Sequence, residues 1–227
     1  MIARPVLCLF CLLFVSGFAA AAENYDDLFE EALQSVDFEF ARNWAYTETS
    51  VDDEHVWVGR FDPRRPAGER WELISVDKRA PTDDEIEEYL DDRDEDFPDG
   101  DDNEVVAMVE PDSVRLIEET DEYWLLGFNL DEDEKAVVEN VDATIRINKP
   151  GRYLEYIDVH NRAVMKPAFG VRLNKLITRL TFGPAAESGP IIPLSTRVEV
   201  SGRAFLFISF DEQEISSNSD FEYAGED

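Results

Sequence analysis

The chain has 227 residues, with 52 acidic against 21 basic side chains and a formal charge of −31. A field that negative excludes nucleic acid as a partner, because binding a polyphosphate backbone requires a positive surface. The excess reads as a solvated acidic coat suited to a salty medium, where screening weakens self-repulsion, rather than as a device for capturing cations.

Residues 1–22 carry one charged side chain, Arg4, followed by the apolar run 6–15 and the tail Gly17-Phe18-Ala19-Ala20-Ala21-Ala22. A short basic start, an apolar stretch too short to cross a bilayer and an Ala-x-Ala exit predict a secretory signal peptide cleaved near Ala22. The expected product is residues 23–227, one domain, periplasmic or secreted. Both cysteines, Cys8 and Cys11, fall in the leader, and neither follows the small residue that a lipidation signal requires. The product is therefore expected to be soluble and free of disulfides. With no second long apolar stretch, no integral membrane span is expected.

Asn24 opens the first predicted helix, over 25–36, with Tyr25, Leu28, Phe29, Ala32, Leu33 and Val36 at helical spacing. Strand patterns follow over 40–49, 55–62 and 69–76, the last two separated by the proline- and glycine-bearing loop 62–68. Thr82-Asp83-Asp84-Glu85 is a capping box for a short second helix with Ile86, Tyr89 and Leu90 on one face. The acidic segment near 91–104 reads as a mobile, solvated linker. Strands are predicted again over 105–109, 114–118, 123–130, 143–148 and 153–159, with Asn148-Lys149-Pro150-Gly151 as a turn. Alternation then marks 176–182 and 194–201 as half-exposed antiparallel strands. The stretches 123–130 and 204–210 are apolar on both faces, so each is expected to be covered twice. The fold class that fits is α+β, a strongly curved antiparallel sheet (half-barrel) wrapped around one or two short helices.

No catalytic or metal motif stands out. His55 and His160 are the only histidines, with no metal-ligand spacing around them, and the mature chain has no Gly-x-Ser-x-Gly elbow. Carboxylates are too numerous for a glycosidase pair to be singled out. Both registers of a calcium loop in the acidic run fail, at Phe97 and Asn103 in one and at Val106 in the other. No metal and no cofactor are expected. Bases gather in two islands, Arg60, Arg64, Arg65 and Arg70, then Arg162, Lys166, Arg172, Lys175 and Arg179. They read either as partners for surrounding acids or as an anion or lipid-headgroup contact at a groove rim.

The segments 44–49, 61–66, 70–76, 80–82, 169–173 and 202–212 together resemble a family of uncharacterised proteobacterial envelope proteins. In architecture that family is similar to the periplasmic lipoprotein-carrier class, which implies a half-barrel closed by helices over an apolar cavity for acyl chains. The resemblance brings no catalytic residue with it, and no acyl-contacting position aligns. The expected function is a non-catalytic module binding an apolar ligand or lipid. The alternative is an envelope scaffold or interaction protein with a filled core, an envelope protein being its partner; an enzyme of unrecognised type is a third class. The expected cavity wall is Trp124, Leu126, Phe128, Phe205 and Phe207, with Trp57 and Trp71 closing the mouth.

Overall fold

The structure is a computed structural model and describes residues 24–91, 93, 109–110, 112–130, 140–205 and 208–225. The leader expected over 1–22, most of the acidic run 91–104, the strand expected over 105–109 apart from Val109, and both Leu206 and Phe207 lie outside the described residues.

Helix α1 (Tyr25–Gln34) begins where Asn24 accepts a hydrogen bond from the Asp26 N–H at 3.2 Å, and Asp26 and Asp27 sit favourably in its first turn. Its apolar stripe, Leu28, Phe29, Ala32 and Leu33, is buried. Beyond the helix the chain docks on the sheet, with the Asp37 N–H donating to the Ile191 carbonyl at 2.7 Å. A single 3-10 turn (Phe40–Arg42) then leads into β1 (Trp44–Val51). Strands β2 (Val56–Phe61) and β3 (Trp71–Val76) complete an N-terminal meander.

Helix α2 (Asp83–Asp91) starts on the capping box read in the sequence. Thr82 Oγ1 accepts from the Glu85 N–H at 3.3 Å, and Glu85 accepts from the Thr82 N–H at 2.8 Å. Arg79 and the Thr82 N–H together hold the Glu85 carboxyl down at about 2.

The remaining strands are β4 (Arg115–Glu119), β5 (Tyr123–Phe128), β6 (Val141–Asn148), β7 (Tyr153–Asn161), β8 (Val171–Pro184), β9 (Ile191–Ala204) and β10 (Ile208–Tyr223). The ten strands of the described residues form one antiparallel sheet in the order β3-β2-β1-β10-β9-β8-β7-β6-β5-β4. The first and last of these strands thus meet inside the sheet, through pairs from Trp44↔Tyr223 to Val51↔Ile215. The edges are β3 and β4, joined by the connection 77–114 that carries α2. Charges at Arg115, Glu118 and Glu119 on the β4 edge discourage further strand addition.

Residues opposite one another across an antiparallel ladder share a face. Following the register from Leu180 through Thr196, Ser216 and Ser50 to Trp57 and Val76 puts the residues under α1 and those under α2 on the same side. We call this the helix face. Under α1 lies the main core, where Trp124, Leu126 and Phe128 of β5 meet Ile145, Ile147, Leu154 and Phe182. Each fully buried aliphatic side chain there contributes about 1.5–3 kcal/mol by leaving water. Two smaller cores occupy the other end. Tyr46, Phe61 and Ile192 cluster with Phe40, and Leu73, Val76 and Tyr89 cluster beneath α2. The opposite, open face carries a charged ladder in which Arg146 pairs with Glu155 at 2.7 Å and Arg179 with Asp158 at 2.7 Å.

Two expectations are corrected. The sheet is open, not closed or strongly curled, so α1 and α2 lie on separate patches of it and no half-barrel wraps them. The two-sided apolar strands that argued for curling have other causes. The stretch 204–210 is not one strand: Ala204 ends β9, Ile208 begins β10, and the two face each other in register. In β5 the second face is taken by Tyr123, whose ring lies 4.0 Å from the Arg146 guanidinium, and by half-buried Leu125.

Candidate functional site

Trp124, Leu126 and Phe128 do come together, at 3%, 0% and 5% exposure, with α1 laid over them. Phe29 meets Phe128 edge-on at 5.3 Å. Trp57 and Trp71 also come together, at the other end of the helix face, around Tyr89 of α2. The rings of Trp57 and Tyr89 stack at 6.3 Å, and Trp71 meets Tyr89 edge-on at 6.2 Å. Phe205 joins neither group; it stands at the β9–β10 corner, 60% exposed. Phe207 lies outside the described residues.

Beside α2 is a cleft of about 280 Å³ lined by Ser50, Asp52, Trp57, Glu88, Tyr89, Arg93 and Glu214. Its lining is mostly polar and acidic. Asp52 accepts from the N–H groups of His55 and Glu54, both at 2.7 Å, and from the Trp57 indole at 3.0 Å. Partial burial works to raise its carboxyl, but these donors win and hold it below the usual carboxylate range. Arg93 bonds Glu48 at 2.8 Å with its guanidinium 4.4 Å from the Tyr89 ring centre. Burial pushes the Tyr89 hydroxyl up to about 12, so it stays protonated.

His55 Nδ1 is held by Asp77 at 2.9 Å, and that carboxylate also accepts the Val56 N–H at 3.0 Å. Its hydrogen bond raises the His55 pKa, but no nucleophile is bonded to either histidine among the described residues. No group of three or more candidate metal ligands forms among the described residues either.

The basic islands divide. In the first, Arg60 pairs with Glu222 at 3.3 Å, Arg64 with Asp62 at 2.8 Å, and Arg65 with Glu72 at 2.6 Å. In the second, Arg162 pairs with Asp142 at 3.5 Å, Arg179 with Asp158, and Lys175 with Glu199. Lys166 and Arg172 form no ion pair among the described residues, and neither does Arg203.

One further feature was missed in the sequence because it is assembled from three strands. On the helix face of β8, β9 and β10, beyond both helices, lie Leu173, Leu176, Val198, Val200, Ala204 and Phe210, each half-buried and absent from all three cores. Gly202 sits among them; a Cβ there would meet the Phe210 ring at 2.6 Å, so Phe210 lies directly over the glycine. This apolar strip runs from beside the helices to the β9–β10 corner. The alternation that carries it was visible in β9, but the neighbouring residues of β8 and β10 join it only through cross-strand register.

No protein-family model, no curated protein and no solved structure matches the chain. No helix of the described residues is long and apolar enough to cross a membrane.

Proposed function

We propose that the protein is an exported, non-catalytic binding protein whose ligand is an acyl chain or similar apolar molecule, laid along the strip on β8, β9 and β10. The strip, half-buried, outside all three cores and bordered on β10 by Glu212 and Glu214, is the observation that carries this reading. Its length from Val198 to Ala204 is about 20 Å at about 3.3 Å per residue, on the order of an extended fatty acyl chain. Burying a chain against it gains about 0.8 kcal/mol per CH₂, so affinity needs no polar motif. The expected likeness to lipoprotein carriers rested on a half-barrel that the open sheet does not form, so this reading stands on the strip alone.

A specific observation favours a second reading. The cores under α1 and α2 are filled by the protein's own side chains, as an envelope interaction protein without a ligand would have them. The two readings separate by mass spectrometry of lipid extracted from natively purified protein, with a fluorescent fatty acid as the binding probe. The wild type should carry lipid or bind the probe. Val200→Asp and Leu176→Asp, both at half-exposed positions and checked for unchanged melting, should lose binding at least about tenfold. A wild type that carries no lipid and binds no probe, or variants that bind as well as wild type, would leave the interaction reading in its place.

A further inference from the structure

The far end of β8, β9 and β10 differs in charge and apolarity from the rest of the molecule. Residues 159–186 contain Arg162, Lys166, Arg172, Lys175 and Arg179 and no acid, and residues 200–210 contain Arg203 and no acid. Elsewhere acids dominate, as 52 acids against 21 bases require. At this end three large apolar side chains stand in solvent: Phe169 at 95% exposure, Ile208 at 61% and Phe205 at 60%. A single exposed apolar residue is ordinary, but three at the end of one hairpin stack are not.

The arrangement is built rather than loose. The Phe205 N–H donates to the Gly170 carbonyl at 2.7 Å, tying the β9–β10 corner to the start of β8. A Cβ on Gly170, whose φ is +80°, would meet the Phe205 ring at 2.9 Å, so that ring rests on the glycine. Phe205 itself holds φ at 49°, a left-handed conformation that a bulky side chain adopts at a cost. The local backbone is thus strained, and an aromatic ring is left exposed.

The bases are equally deliberate. Arg172 and Arg203 face each other in register on the open side, and like charges directly opposite across a ladder repel. Neither forms an ion pair among the described residues. Behind the tip, Asp211 and Glu212 begin the acidic coat. Repulsion between that coat and an anionic surface leaves only the tip able to approach.

We propose that this tip docks on an anionic lipid bilayer. Phe169, Phe205 and Ile208 enter the interface and Lys166, Arg172 and Arg203 meet the phosphate headgroups. Exposed apolar side chains beside bases that form no ion pair among the described residues suit a deformable anionic surface. The inference goes beyond the ligand reading and requires no bound acyl chain.

The test is flotation of purified protein with phosphatidylglycerol-containing vesicles against pure phosphatidylcholine vesicles. The protein should float with the anionic vesicles, and added salt should release it. Phe169→Asp should reduce partitioning by about tenfold or more, since one fully transferred phenyl ring is worth that factor. At 95% exposure the substitution leaves folding intact, and fatty-acid probe binding at the strip should not change. The Arg172→Gln, Arg203→Gln double variant should lose the preference for anionic vesicles. Phe169→Trp should shift its emission to the blue on mixing with anionic vesicles and be quenched by brominated lipid. A wild type that does not float, or a Phe169→Asp variant that floats equally, would overturn the proposal. So would a dimer that Phe169→Asp dissociates, because the tip would then be an interface between copies of the chain.

Discussion

Gly59 of β2 faces α2, and the hydroxyl of Tyr89 lies where its Cβ would be. A methyl group built there would sit 1.9 Å from Tyr89 Oη and 2.7 Å from Cζ, whereas ordinary van der Waals contact begins near 3.4 Å. In Gly59→Ala the ring must therefore retreat by more than an ångström. It has little room, being 6% exposed and packed against Trp57 and Trp71. The retreat lifts α2 from β3. Overpacking of this kind costs about 1–3 kcal/mol, offset by about 0.4–1 kcal/mol because alanine restricts the unfolded chain. The net loss is then about 1–2 kcal/mol, read from the urea midpoint at unchanged m-value. Tryptophan emission should change with it, because Trp57 and Trp71 flank the displaced ring. The double variant Gly59→Ala, Tyr89→Leu removes the clashing atoms. Its loss should be smaller than the sum of the single losses by at least about 0.5 kcal/mol. A Gly59→Ala protein as stable as wild type, with unaltered emission, would refute the close packing of α2 on β2.

Two further outcomes follow from the cores and the titrating pair. Leu33→Ala in α1, at a position 1% exposed in the main core, should cost about 2–5 kcal/mol in denaturant unfolding, the range for a buried leucine that leaves a cavity. His55 is raised above its ordinary 6.5 chiefly by its hydrogen bond to Asp77. Its contribution to stability is therefore complete below 6.5 and fades as pH rises through the higher folded value. NMR titration of the His55 ring should show the raised pKa, and Asp77→Asn should abolish both the shift and that part of the pH slope; an unchanged slope in Asp77→Asn would assign it elsewhere.

The local signals in this chain were strong where a residue's neighbours in sequence decide its conformation. Asn24 and the Thr82–Glu85 box marked both helix starts, since a cap is formed by residues two or three apart. Apolar alternation marked most strands for the same reason. The long strand β10 escaped notice because its stretch from Asp211 to Asp220 is almost wholly polar. It is a strand because β1 and β9 offer it hydrogen-bond ladders on both sides, and those partners are remote in sequence. That pairing is a tertiary event. The same non-locality explains the mistaken half-barrel. Whether an apolar residue on a second face signals a curled sheet, the end of a strand as at Ala204, or a cation over Tyr123 depends on what stands opposite it. The acid excess and the element types follow from local composition and period. The openness of the sheet, the strip across β8–β10 and the meeting of Arg172 with Arg203 follow only from strand register, because residues far apart in sequence share one face once the strands are paired.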